Sequence, residues 1–370
     1  MATDLSRGVG VFSFDLPEEL TLLQSTARSF ARDALLPKLR SAEAARAVDG
    51  DARAAYAQIG LADLELPSEL GGASYGALAR VLVNEELAAA DAGAALALDR
   101  VGPALYALLE LGGLDALRSV LELPEARALL VTSREAALQL SGDTLNGRVP
   151  YVPAEQAQLL VVLASDHALV VREGLAFERV RGAGLRAAGG AELRLDGSKV
   201  AARLELRDDP LAASRALARA RLYLAALLLG VLRHADEYAR AYALEREAFG
   251  RKIAHHQALA FLLVDMHAAV DGARLLIHDA ALRADRGEPF AAVAASALVE
   301  VIEVARWVGP AAVQVLGGHG FMQDHPVEKL MREARALGLL LGGIDAARDD
   351  AGAALCGLAL RVQLSLQEGA

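Results

Sequence analysis

Tyr242-Ala-Leu-Glu-Arg-Glu-Ala-Phe-Gly-Arg251, with Gln257 six residues later and Gln314-Val-Leu-Gly-Gly-His-Gly320 beyond, is the stretch whose reading decides the fold. Arg246 supplies a fixed cation with several donors, suited to a pyrophosphate, while Gly317, Gly318 and Gly320 let backbone approach a ligand that a side chain would obstruct. Upstream of it, Ala212 to Leu244 reads as one helix of roughly 50 Å at 1.5 Å per residue. Downstream, helices over about His256 to Arg286, Phe290 to Leu316 and Pro326 to Leu340 imply an antiparallel bundle.

Working toward the N-terminus, the period changes. Leu159-Leu-Val-Val-Leu163, His167-Ala-Leu-Val-Val171 and Ala191-Glu-Leu-Arg-Leu195 are short β-type runs punctuated by Gly, Asp and Asn, which predicts a small antiparallel β domain. Before it, from Leu16 to about Val120, apolar positions recur three and four apart. Pro17 and two acids open the first helix, Pro37 interrupts it, and Leu66 to Gly76 is a turn-rich break before a helix carrying Glu85 and Glu86. The boundaries follow: helical 1–125, antiparallel β 126–209, helical bundle 210–370.

Composition fits this order. Apolar residues make up 54% of the 370 and aromatics only 4%, so the interior is built from Ala, Leu and Val, which favours packed helices. The apolar run Leu222 to Leu232, bounded by Arg221 and Arg233, is too short to cross a bilayer and reads as a buried helix. Acids at Asp4, Asp15, Glu18 and Glu19, with no apolar stretch leading to a cleavage site, argue against a signal peptide, so a cytoplasmic location is expected. A net charge of -10 without a basic tract opposes nucleic-acid binding. The one cysteine, Cys356, permits no internal disulfide and reads as plain packing. Adjacent histidines at His255 and His256 point to different sides of a helix, so no metal site is expected there.

Helices, then a β unit, then a four-helix bundle, together with Tyr242 to Gly250, Gln257, Leu263-Val-Asp-Met266, Gln314 to Gly320 and Pro326-Val-Glu-Lys-Leu-Met-Arg-Glu-Ala334, resemble the acyl-CoA dehydrogenase family of flavoproteins. The resemblance covers nearly the whole chain and implies a mainly α protein with a central β-barrel domain. It implies FAD as cofactor, an acyl-CoA substrate and an electron-transferring flavoprotein as acceptor. In that family each flavin lies between two subunits of a tetramer. Arg246, Phe249, Gln257, Gln314, Gly317 and Gly318 match the positions that reach across to a neighbour's cofactor.

The same comparison shows departures. Where the family has a Thr-Glu-Pro motif, this chain has Val131-Thr-Ser-Arg-Glu-Ala-Ala-Leu-Gln139, and only Thr132 survives. The segment that backs the flavin ring corresponds to Tyr151-Val-Pro153, and Pro153 provides neither a hydroxyl nor a backbone donor. The catalytic Glu is replaced by Leu341 at one of its two known locations and by Ala220, just before Arg221, at the other. Leucine and alanine accept no proton.

Three readings follow. The resemblance implies, first, a base-less subunit of a heteromeric dehydrogenase, completing the FAD site of a homologous catalytic partner that binds most of the acyl-CoA; bulky substrates such as steroid side chains fall within that class. The second is a homotetrameric flavoenzyme with a non-standard base or altered chemistry, and the third a non-catalytic scaffold or ligand-binding module. Among the remaining acids, Glu333 and Asp345 are unpersuasive bases, and Asp345, Asp349 and Asp350 beside Arg348 read as a solvated helix face. Leu339, Leu340 and Leu341 are expected to fill the vestigial acyl pocket, with Arg221 either placing charge near it or ending the apolar stripe of its helix.

Overall fold

The computed structural model describes residues 15–123, 125–132, 134–206, 208–357 and 367–368; Asp4 and Ser133 lie outside them. The chain is mainly helical around one curled sheet. Helix α1 (Glu18–Phe30) has Pro17 before its first turn and Glu18 and Glu19 within it, where carboxylates meet the positive end of the dipole. At Pro37 it gives way through a π turn (Ala31–Leu35) and a 3-10 turn (Leu36–Lys38) to α2 (Leu39–Ala45). Helix α3 (Gly50–Gln58) is capped by Asp49, whose carboxylate accepts the Ala52 N–H at 3.0 Å. After the 66–76 loop come α4 (Ala77–Leu98), α5 (Ala104–Glu110) and α6 (Leu114–Leu121).

The middle segment is β1 (Ala128–Thr132), β2 (Ala137–Ser141), β3 (Thr144–Val152), β4 (Leu159–Leu163), β5 (His167–Val171), β6 (Leu175–Arg179) and β7 (Ala191–Glu205). Strand order is β1-β4-β5-β7-β3-β2, with a short β10 (Gln367–Glu368) beside β2 and β6 also on β7. The long β7 makes the sheet curl: its C-terminal half pairs with β5 and its N-terminal half with β3 and β6. The expectation of a purely antiparallel domain is corrected at two places, since β1 pairs with β4 and β10 with β2 in parallel. The β2–β3 hairpin lets the chain return in the same direction. Strand β4 is buried at all five positions, as strands covered on both faces are.

Helix α7 (Ala212–Glu245) runs 34 residues through the centre of the last segment. Leu222 to Leu232 is buried throughout, because α4, α8 (Gln257–Asp285) and α9 (Ala291–Leu316) pack around it. A two-strand hairpin, β8 (Glu247–Ala248) and β9 (Arg251–Lys252), joins α7 to α8; α10 (Val327–Leu337) and α11 (Gly343–Leu355) finish the bundle. Glu85 and Glu86 of α4 are buried where α4 meets α7 and pair with Arg233, Arg274 and Arg28. No helix among the described residues is long and apolar enough to cross a membrane.

Candidate functional site

The candidate residues fall into two groups, and the fold treats them differently. The first sits at the end of the bundle where α7 finishes, α8 begins and α9 runs into a 3-10 turn (Gly317–Phe321). The Tyr242 hydroxyl and His319 Nδ1 are 2.7 Å apart, and the His319 ring stacks on His325, which bonds Tyr238; this ties the glycine turn to α7. The Arg246 backbone is fixed, its N–H donating to Tyr242 O at 2.9 Å and its carbonyl accepting from Ile253. Its guanidinium is exposed and bonds nothing among the described residues. Gln257 and Gln314 are exposed too, and space is open at Gly317 and Gly318. Phe249 is 95% exposed and holds φ at +54°, a left-handed backbone that costs a non-glycine residue roughly 1–2 kcal/mol. Gly320 plays a different part from the one its motif suggests. A Cβ there would lie 2.4 Å from Val313 O, so packing requires the glycine.

The second group lies between β1, β3 and the α10–α11 turn. That turn has three successive residues at positive φ, Leu341 (55°), Gly342 (78°) and Gly343 (63°); two are glycines, which tolerate it, and Leu341 is the strained one. Its N–H donates to Glu135 Oε1 at 2.5 Å. Thr132 donates to Glu135 Oε2 through its N–H at 2.9 Å and its hydroxyl at 3.2 Å. Burial pushes the Glu135 carboxyl up to about 7 against the pull of these donors. Glu135 lines both a cavity of about 50 Å³ bounded by Leu96, Tyr223, Leu340 and Leu341, and a cleft of about 490 Å³ bounded by Arg134, Tyr151, Arg335 and Leu339. Sequence reasoning missed Glu135. A lone acid in a short loop carries no pattern that announces a buried carboxylate.

Four further expectations change. Asp350 is buried, accepting from Arg221 at 2.5 Å and Arg134 at 3.4 Å, so of the three acids only Asp345 and Asp349 are exposed. Arg221 is correspondingly buried, lines neither the small cavity nor the cleft, and sits within the buried stripe of α7 rather than at its end; burial pulls it below its ordinary value. Leu340 and Leu341 line the small cavity, but Leu339 is 74% exposed at the cleft rather than filling a pocket, and Cys356 is exposed where packing was expected. Glu333 is buried against Lys329 at 2.5 Å, and burial raises it to about 7. Ala220 is fully buried within α7. Among the described residues no group of three His, Cys, Asp or Glu is placed to hold a metal.

The fold matches known proteins over nearly the full chain. The family model described as "Acyl-CoA dehydrogenase, N-terminal domain" matches residues 17–119, and that described as "Acyl-CoA dehydrogenase, C-terminal domain" matches 211–355. The chain belongs to the acyl-CoA dehydrogenase family. A probable acyl-CoA dehydrogenase of Mycobacterium tuberculosis is 28% identical over 357 residues, covering 87% of this chain and 91% of that one. The mitochondrial short-chain specific acyl-CoA dehydrogenase of Bos taurus is 29% identical, covering 87% and 86%. A solved structure described as the electron transferring flavoprotein of Acidaminococcus fermentans matches with a TM-score of 0.81 at 26% identity, over 93% and 99% of the two chains. Butyryl-CoA dehydrogenase from Megasphaera elsdenii, at 23% identity and TM-score 0.80 over 93% and 100%, shares the fold.

Proposed function

We propose that this chain works in flavin-dependent α,β-dehydrogenation of an acyl-CoA thioester, as the subunit that completes a partner's FAD site and lacks its own base. The observation that carries this reading is the contrast between the two groups of residues. Arg246, Phe249, Gln257, Gln314, Gly317 and Gly318 are exposed at one end of the bundle, with the Arg246 guanidinium unpartnered among the described residues. At the two positions expected for a base, Leu341 and Ala220 bring no carboxylate, and the donors of Thr132 and Leu341 are already engaged by Glu135.

These exposed groups suit FAD: a guanidinium for pyrophosphate, two amides that donate and accept, and open main chain at two glycines. A bound flavin supplies the hydride-accepting chemistry. This chain's residues bind and orient it, while a homologous partner's carboxylate removes the α-proton. Electrons leave to an electron-transferring flavoprotein, and the place of work is the cytoplasm.

Co-expression with a homologous dehydrogenase subunit, followed by flavin analysis of the purified assembly, tests this. A mixed tetramer with half-stoichiometric flavin is expected. Arg246→Ala should weaken flavin retention by roughly tenfold or more, the loss of one charge-assisted contact. A yellow, active assembly of this chain alone would refute the reading.

A further inference from the structure

Each oxygen of the Glu135 carboxylate has room for about two hydrogen bonds. Oε2 accepts the Thr132 N–H at 2.9 Å and the Thr132 hydroxyl at 3.2 Å. Oε1 accepts the Leu341 N–H at 2.5 Å. Three donors of the chain itself therefore occupy most of its lone pairs. A general base needs a lone pair turned toward a substrate proton, and those of this carboxylate are mostly engaged. The donors form a ready cradle for an oxygen carrying negative charge, since two backbone segments and a hydroxyl converge on one place in a buried corner. Glu135 also stands in the wall shared by the small cavity and the large cleft.

The loop bearing Glu135 is stapled in place. Arg134, the preceding residue, donates to Ala346 O at 3.0 Å and to Asp350 at 3.4 Å, and Asp350 is in turn clamped by buried Arg221. Gly342 adds to the fit, because a Cβ there would lie 3.2 Å from the Arg134 Cβ and 2.8 Å from that of Ala346. The β1–β2 loop and the α10–α11 turn are thus held face to face, with the carboxylate between them.

We propose that Glu135 is an internal occupant of this cradle, filling the place of a ligand carbonyl oxygen and closing the subunit's own cleft to acyl thioesters. The inference rests on the base-less reading above and explains how a cleft of ligand size stays unused. It also accounts for the left-handed Leu341, whose N–H is held by the carboxylate.

The test uses the full-length chain, wild type against Glu135→Ala and Glu135→Gln, with butyryl-CoA titrated calorimetrically in the presence of FAD. Glu135→Ala empties the cradle and joins the two spaces, so binding at least about tenfold tighter than wild type is expected, the worth of one or two recovered hydrogen bonds. Glu135→Gln keeps the size but turns an amide donor toward other donors, so it should give a smaller gain in the same direction. If Glu135→Ala does not fold, Glu135→Gln decides alone, with circular dichroism confirming its fold. Binding no tighter than wild type in the folded variants overturns the proposal. So does turnover of butyryl-CoA by wild type that Glu135→Gln abolishes while binding persists, since that would make Glu135 the base. The Arg246→Ala flavin measurement in the mixed assembly does not involve Glu135, so failure of one reading is distinguishable from failure of the other.

Discussion

Lys329 is fully buried between Asp91 at 3.2 Å and Glu333 at 2.5 Å, and these attractions hold it above its ordinary value despite burial. Two carboxylates and one ammonium share the site, and Glu333, raised to about 7 by burial, keeps a proton easily. Removing the ammonium leaves buried acids uncompensated. Lys329→Met should therefore lose roughly 3–5 kcal/mol in urea unfolding at pH 8, and a smaller amount at pH 5, where Glu333 takes up a proton. An equal loss at both values would contradict the assigned charges. Glu135 and Glu333, both raised to about 7 from 4.5, add a pH dependence of known sign. A raised acid contributes stability that is complete below its unfolded pKa and disappears as pH rises through the folded one. His234, pushed down to about 4 from 6.5 by burial, works oppositely, its contribution disappearing as pH falls below 6.5. The decline in the urea midpoint should accordingly run from about pH 5 to pH 7, level off above that, and be flatter in Glu135→Gln.

At the scale of elements, α4 and α7 meet almost backbone to backbone. A Cβ on Gly230 would lie 2.2 Å from Glu85 O and 2.9 Å from Ala89 N, and neither is a side chain able to turn away. Gly230→Ala gains helix propensity but forces the helices apart, so a net loss of roughly 1–3 kcal/mol is expected in thermal unfolding. An unchanged melting temperature would mean that the helices do not cross this closely. Helix α4 also breaks at Asp91, which adopts extended dihedrals (φ -161°, ψ 109°) and caps the second half by accepting the Ala94 N–H at 3.0 Å. Gly93 stands two residues beyond the break, and the contacts that hold the break, from Lys329 to Asp91 and from the Ala92 N–H to Glu333 of α10, are tertiary. The same distinction separates what was legible from what was not. Apolar periodicity made α7, α8 and α9 readable to within a few residues, and the β runs at 159–163 and 167–171 coincide with β4 and β5. Strand direction, Glu135 and Asp350 were not readable, because each depends on a partner distant in sequence: β4 for β1, Leu341 for Glu135, Arg221 for Asp350.

At the scale of the whole molecule, the outer face of α8 is left apolar. Phe261 is 60% exposed, Val264 64% and Leu275 56%, and exposed Ala268 and Gly272 continue the same line at helical spacing from the hairpin bearing Arg246. Contiguous apolar surface of this kind on a folded chain marks a contact with another molecule. Its continuity with Arg246, Phe249 and Gln257 gives the contact a purpose under the proposed function: whatever covers α8 brings its own cofactor to these residues. Replacing Phe261 and Val264 together by Asp puts two charges into that contact without touching any buried residue of the chain, so the monomer should keep its helical content. Light scattering coupled to size-exclusion chromatography should then show wild type as an assembly and the double variant as a monomer or dimer. The variant should also fail to restore flavin binding when mixed with the partner, even though Arg246 is intact. If it assembles as wild type does, the α8 face is not the contact, and the lent half-site must be reached from elsewhere on the bundle.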